Sequence, residues 1–376
     1  MNAAILAIGT ELSLGQIVNR NASWLAARLH ELGLFTPYHR VVPDDRAMMV
    51  AEMRDLAGKV EVLVVTGGLG PTTDDFTRDA IAEFLGLPLE WDEGAWTWIQ
   101  ERLQERGVAV RDFQRQQCYF PKGYRLLHND RGTAHGFRLE TPAHNGPLRH
   151  VIVLPGPPAE VESAFTNGVR PLLEPLKATL DPLELRIWEC LGVGESDVAD
   201  RAEKALVGCP FEKAYRVHLP YVEFKLLYPF SKRREAEPWC AKVDVALGEW
   251  VALRGGEDAA ENLFAAIAKL APQRLLLVDR ATEGHFMGRI ATALKTSGLG
   301  DRMNLLSSKI AQREGDLELE VVSTDGLQAE IHVNWQGLTK SSHVTAPQKA
   351  AALSERRKQY FMECALLFWA REIRNF

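Results

Sequence analysis

Long apolar runs are missing from this chain. No stretch approaches the ~18 residues of a membrane span, so a membrane partner is not expected. Cysteine is sparse: Cys118, Cys190, Cys209, Cys240 and Cys364 stand alone, and none pairs at C-x-x-C spacing. That excludes a zinc knuckle or thioredoxin-like motif, and the odd, scattered count reads as reduced thiols in a cytoplasmic protein. A strong charge of one sign is also absent, with 44 basic against 50 acidic residues and a net charge of −6. That balance argues against a nucleic-acid partner. There is no internal repeat and no low-complexity segment. The apolar start, Ala3 to Ile8, has no basic flank, and Glu11 follows closely. It reads as a first strand and not as a signal peptide.

What is present is an ordinary globular composition, 46% hydrophobic and 25% charged over 376 residues. That is enough for a core in each of two or three domains. Residues 1–170 alternate strand and helix signals. Val62 to Val65 and Val151 to Leu154 are continuous apolar runs of the kind buried in a parallel sheet. Asn21 to Leu32 and Phe76 to Leu85 have helical apolar spacing, each followed by glycine. The fold class expected is α/β: an N-terminal three-layer α/β sandwich, a small α+β middle module over 171–255 and a C-terminal α/β domain over 256–376. Pro171, Pro175 and Pro182 mark the opening of the middle module, and a long final helix is expected from about Ala346 to Ile373. This last helix is apolar nearly all round, so burial on more than one side is expected, by core packing in preference to a dimer seam.

Four glycine-containing loops carry the chemistry. In the first, the apolar strand ends in Thr66-Gly67-Gly68-Leu69-Gly70-Pro71-Thr72-Thr73-Asp74-Asp75, and a helix follows. Glycines let backbone N–H groups approach a ligand, and a helix start adds unpaired donors, so the place suits phosphate. Asp74 and Asp75 read either as caps that complement the helix dipole or as ligands of a hard divalent cation. There is no Gly-Lys-Ser and no G-x-G-x-x-G, so generic nucleotide patterns do not decide. The second loop holds Gly9, Glu11, Asn19 and Asn21, just after the first strand. The third runs from Asn129 through Gly132 and Thr133 to Gly136, and the fourth holds Pro155, Gly156 and Glu160. Each alone could be a tight turn; together they point to one composite site.

The motifs G-T-E-L-x-x-G-x-x-x-x-x-N, T-G-G-L-G-P-T-x-D-D-x-T-R, N-x-x-G-T-A-x-G-F and L-P-G-x-P-x-E, in this order, closely resemble the CinA family. The first domain of that family is similar to the molybdopterin-binding domains of molybdenum cofactor biosynthesis proteins. Gly192-Val193-Gly194-Glu195-Ser196 resembles the start of the family's KH-like middle module. The resemblance implies metal-dependent hydrolysis of the pyrophosphate bond of ADP-ribose or a similar dinucleotide. Gly67, Gly68 and Gly70 would cradle the diphosphate. Asp74, Asp75 and Glu11 would act catalytically by holding a divalent metal ion (Mg, Mn or Co). Gly9, Thr66, Thr72, Gly132, Thr133, Gly136, Pro155 and Gly156 would complete the substrate site, with Asn19, Asn21 and Asn129 orienting the ligand and Glu160 beside it. The alternative is a non-enzymatic nucleotide- or pterin-binding protein, since the same loop can hold a diphosphate without cutting it. His135 stands where the family has proline, and Pro157 where it has an aliphatic residue.

In many CinA proteins the third part is a nicotinamide mononucleotide deamidase with an A-E-S-C-T-G-G signature. The equivalent stretch here is Val278-Asp279-Arg280-Ala281-Thr282-Glu283-Gly284. Arg280 replaces the serine, and a guanidinium has no nucleophilic lone pair at neutral pH. Glu283 replaces a glycine. The domain is therefore expected to keep its fold without catalysis, in a packing, dimerisation or regulatory role, and a homodimer is the expected assembly.

Overall fold

In the computed structural model of the chain, residues 1–141, 146–177, 180–299, 303–306, 316–323, 326–347 and 354–376 are described. They form two compact units, Met1–Leu183 and Glu184–Phe376.

The first unit is organised by the parity of its buried strands. β1 (Asn2–Ile8), β2 (Phe35–Val42), β3 (Val62–Thr66) and β8 (His150–Leu154) run parallel, while β7 (Gly136–Glu140) and β6 (Arg125–Leu127) extend the sheet antiparallel. The order is β2-β1-β3-β8-β7-β6, and a small ribbon of β4 (Leu89–Trp91) and β5 (Tyr119–Pro121) stands apart. Ala4, Leu6, Leu63, Val65 and Val151 face α3 (Arg46–Ala57), α4 (Thr77–Leu85) and α5 (Glu93–Glu105) in one core. Ala3, Ile5, Val62, Val64 and Ile152 face the other way, onto α2 (Arg20–Glu31), α6 (Pro158–Ala164) and α7 (Arg170–Lys177). Side chains alternate across a strand, so a run with no polar position must have helices on both faces. The result is a three-layer sandwich. One further short helix, α1 (Thr10–Ser13), follows β1 directly.

Pro171 and Pro175 lie within α7, and Leu173 is buried in the first unit's core. The proline-rich stretch is thus a helix of this unit, which continues to Leu183. α7 follows directly on the π-helical segment Phe165–Val169, with Pro171 as its second residue and Pro175 inside it.

The second unit has two sheets. The order β10-β11-β9-β12 joins Glu212–His218, Tyr221–Pro229, Leu183–Leu191 and Val251–Arg254, covered on one face by α8 (Glu195–Ala205) and α9 (Arg233–Leu247). The order β14-β13-β15-β16-β17 joins Met303–Leu306, Arg274–Arg280, Asp316–Ser323, Gln328–Trp335 and Leu338–Thr345. It packs on α10 (Ala259–Leu270), α11 (His285–Ser297) and α12 (Ser354–Ile373).

The expected start of the final helix at Ala346 is corrected: Ala346 and Pro347 are not helical, and residues 348–353 lie outside the described residues. The residue before a proline is pushed out of the helical region, which accounts for the break. From Phe361 to Ile373, α12 buries Phe361, Leu366, Trp369 and Ile373 in the core of its own unit, the burial on several sides that its composition calls for. Among the described residues, no helix is long and apolar enough to cross a membrane.

Candidate functional site

The parallel strands β1, β3 and β8 end at one edge, and the register Ala7–Thr66–Leu154 brings their following loops side by side. A β-carbon on Gly67 would stand 2.2 Å from the Ile8 carbonyl oxygen, and one on Gly156 would stand 3.8 Å from Gly67 Cα. The Gly9, Gly67 and Gly156 loops therefore touch. Asn21 Nδ2 donates to the Gly156 carbonyl at 2.7 Å, tying the start of α2 to the last of the three. These loops enclose a cleft of about 440 Å³ lined by Glu11, Ile17, Val18, Asn19, Thr66 and Gly67 among others.

The Gly67–Thr72 loop is shaped by capture of its carbonyls. Thr77 Oγ1 donates to Gly67 O at 2.9 Å, and the Thr77 amide donates to Gly68 O. Arg78, buried to 2% exposure, donates Nη1 to Leu69 O at 3.0 Å and Nη2 to Gly70 O at 3.1 Å. Gln117 Nε2 adds a bond to Leu69 O, and Gln116 Nε2 reaches Thr72 O. In a trans peptide the C=O and the following N–H point in opposite directions. With the carbonyls of Gly67, Gly68 and Leu69 held from the α4 side, the amides of Gly68, Leu69 and Gly70 point the other way. None of the three finds an acceptor among the described residues. Pro71, next in line, has no N–H to lose. Burial pushes the Arg78 guanidinium down to about 10, so it stays charged at neutral pH and contributes positive potential beneath these donors.

The third loop joins the site through Gln117, whose Nε2 also lies 3.5 Å from Thr133 Oγ1. The Asn129 side chain is engaged by protein groups. It is fully buried, donating Nδ2 to Ala134 O and Glu160 Oε2 while Oδ1 accepts from the Arg131 and Gly132 amides. Its side-chain hydrogen bonds fold its own loop and tie that loop to Glu160 of α6. Glu160, raised by burial, sits against Gly132, where a β-carbon would stand 2.2 Å from Oε2. Gly136 opens β7 against the Val153 carbonyl. Pro155 is buried beneath the fourth loop. His135 packs between Trp98 and His128, and its Nδ1 accepts the Asn129 amide at 3.2 Å.

The carboxylates divide. Asp75 Oδ2 accepts from the Thr72 amide and hydroxyl and presses on Gly70, so it closes the turn before α4. Asp74 is exposed. Glu11 lies over Gly9 on the neighbouring loop. Among the described residues, Glu11, Asp74 and Asp75 are not a trio with ligand atoms within 4.8 Å of one another. They do not form a preassembled three-carboxylate cage. They do fit an ion that arrives with a diphosphate, because such ions use one or two carboxylates and take their other ligands from phosphate and water.

Asn19 caps α2, accepting from the Ala22 amide at 3.0 Å, and still lines the cleft. Sequence reasoning missed Arg78, Thr77, Gln116, Gln117 and Asp44, the last accepting from the Thr10 amide and hydroxyl to hold the second loop. Only Thr77 and Arg78 carried a signal, as part of the T-R that ends the glycine motif.

Residues 4–175 match the family model described as "Probable molybdopterin binding domain". A "CinA-like protein" of Akkermansia muciniphila is 35% identical over 294 residues, covering 77% of this chain and 68% of that one. A relative from Clostridium botulinum, named as a competence-damage inducible protein, is 38% identical over 200 residues, 53% of this chain and 47% of its own. The chain thus spans about two thirds of the first relative and about half of the second. A solved structure of a CinA protein from Thermoplasma acidophilum is 28% identical, covers 46% of this chain and 99% of that one, and superposes with a TM-score of 0.42. With its glycine loops in place and its match to the Akkermansia protein across most of both chains, this chain belongs to the CinA family.

Proposed function

We propose that the first unit binds the diphosphate of ADP-ribose or a similar dinucleotide on the amides of Gly68, Leu69 and Gly70 and hydrolyses its pyrophosphate bond. The observation that carries this reading is the carbonyl capture by Thr77, Arg78 and Gln117, which leaves three consecutive amides without an internal acceptor. Such a nest of N–H groups suits a phosphate anion. The cleft beside it offers Ile17 and Val18, 54% and 82% exposed, as apolar contacts for a base or ribose. Asp74 and Asp75, with Glu11 across the edge, would hold a divalent ion. When bound, such an ion polarises a phosphoryl oxygen and lowers the pKa of an attacking water. Incubation with ADP-ribose and Mg²⁺, Mn²⁺ or Co²⁺ should release AMP. Turnover that survives replacement of both Asp74 and Asp75 by alanine would refute their role.

A second reading, binding of a nucleotide or pterin without hydrolysis, is favoured by the carboxylates that do not converge. Saturable ADP-ribose binding without AMP release under any of the metals would select it.

For the second unit we infer that deamidase catalysis is lost. At the relevant strand end, Arg280 Nη2 donates to Glu320 Oε1 at 2.7 Å. Glu283 adopts a φ of 53° and pairs with Lys358, while Asp279 folds the turn by accepting from the Ala281 and Thr282 amides. Nicotinamide mononucleotide should yield no ammonia above a protein-free control.

A further inference from the structure

The four-stranded sheet of the second unit has one face committed to α8 and α9 through Trp188, Cys190, Val222 and Phe224. Strand alternation turns Glu189 and Glu223 to the opposite face, where they line a cavity of about 520 Å³. β9 and β11 are neighbours, and His218 ends β10 opposite Tyr221, so the three side chains meet on adjacent strands. Glu189 is 6% exposed and Glu223 3%.

Two observations single out this cluster. The Glu189 carboxylate makes no hydrogen bond among the described residues, and its ion-pair partner there is His218 Nε2 at 3.7 Å. A carboxylate this deeply buried is ordinarily paired, or it coordinates a metal. His218 Nε2 is itself buried and makes no hydrogen bond of proper geometry, although it lies 2.9 Å from Glu223 Oε1. Two atoms each about 2.1 Å from one ion stand roughly 3.0 Å apart at a right angle and roughly 3.4 Å at the tetrahedral angle. The observed separations bracket those values. Five carboxylates line the cavity against three basic side chains, which leaves a field that favours a cation.

We propose that Glu189, His218 and Glu223 bind one first-row divalent ion of the Zn²⁺ class. One imidazole with two carboxylates suits such an ion better than the all-oxygen set preferred by Mg²⁺ or Ca²⁺. Arg216 and Lys225 hold Glu223 from its other side, through Arg216 Nε at 2.8 Å and Lys225 Nζ at 2.6 Å, and orient the carboxylate. Arg216 Nη2 also donates to Oε1, the oxygen facing His218, so on this proposal Nη2 releases Oε1 to the ion while Nε keeps Oε2; the side chain is 59% exposed, which leaves room for that shift. Three protein ligands leave a coordination position for water.

The test uses the full chain, stripped with a chelator and titrated with Zn²⁺ alone, with metal content read by elemental analysis and Co²⁺ absorption as the spectroscopic probe. One tightly held ion per chain is expected at this site. His218→Ala and Glu189→Gln should each weaken Zn²⁺ binding by at least about 10-fold. The Asp74→Asn, Asp75→Asn chain should keep the ion, which separates this site from the proposed phosphate site in the first unit. Circular dichroism checks the fold. Should His218→Ala unfold, His218→Cys supplies a substitute ligand and should hold Co²⁺ with a new thiolate charge-transfer band. Failure of the parent chain to bind Zn²⁺ at micromolar concentration would overturn the proposal. So would unchanged affinity and stoichiometry in a folded His218→Ala chain, or a Co²⁺ spectrum unaltered by His218→Cys.

Discussion

Arg78 shows how a single residue can act on a ligand it need not touch. Its guanidinium lies under the loop and holds Leu69 O and Gly70 O, so its effect on ligand binding passes through the direction of the Gly70 amide. Arg78→Met would remove two donors from buried carbonyls, each still reached by a weaker partner from Gln117 or Gln116. We expect a loss of about 1–3 kcal/mol in unfolding free energy, read by urea denaturation. ADP-ribose affinity should fall by about 10-fold or more, and Arg78→Lys should recover the charge but little of the binding, because an ammonium cannot reproduce the fork. Gly68 makes the complementary case. Its φ is +64°, and a β-carbon would stand 2.1 Å from Thr77 Oγ1. Gly68→Ala should therefore cost the roughly 1–2 kcal/mol of a left-handed residue and also break the Thr77 bond to Gly67 O. A thermal midpoint equal to that of the parent chain would contradict this. Gly68 was legible in the sequence because glycines after a buried strand have few other uses. Arg78 was not, because which carbonyls it captures depends on where α4 lies.

Secondary-structure elements show the same division between what periodicity reveals and what it hides. The parallel strands and their flanking helices follow from apolar runs and glycine stops, and Ala259–Leu270 has the ends its pattern gives. The 3₁₀ segment Asp112–Cys118 has no such pattern, yet it delivers Gln116 and Gln117 to the phosphate loop. The Asn129 loop resembled a ligand loop because its residues are polar, but the polar groups bond to one another. Inside that loop His135 carries a pH prediction. It is 5% exposed, with Trp98 and His128 packed on it and Asp92 and Asp130 as the acidic groups facing it. Burial pushes the imidazole down to about 4, against about 6.5 in an unfolded chain. The unfolded state then binds more protons between those values, so stability falls as pH drops through that window. The fall attributable to this group is at most about 3 kcal/mol. His135→Gln, which keeps an acceptor for the Asn129 amide, should flatten the decline in urea midpoint between pH 7 and pH 5. An equally steep decline in the variant would assign it to other groups.

At the scale of the whole molecule, the division falls at Leu183, and the two units hold different kinds of chemistry. The first keeps its neutral donors at a sheet edge, where a chain of net charge −6 can still meet an anion through amides and Arg78. The second gathers carboxylates and an imidazole on a sheet face, and no sequence motif marks that gathering, because Glu189, His218 and Glu223 come from three strands with unrelated spacing. Each unit closes its own cores: two on either side of the six-stranded sheet, and two more in Glu184–Phe376. Compact units with separate cores fold separately, and a cut after Leu183 removes only the half-buried first residue of β9. Residues 1–183 produced alone should therefore unfold cooperatively and bind ADP-ribose with the affinity of the full chain. Residues 184–376 should show no ADP-ribose binding. Calorimetric titration of both fragments decides the matter: ADP-ribose binding lost from a folded 1–183 fragment would mean that the phosphate loop of the first unit is not sufficient for the site.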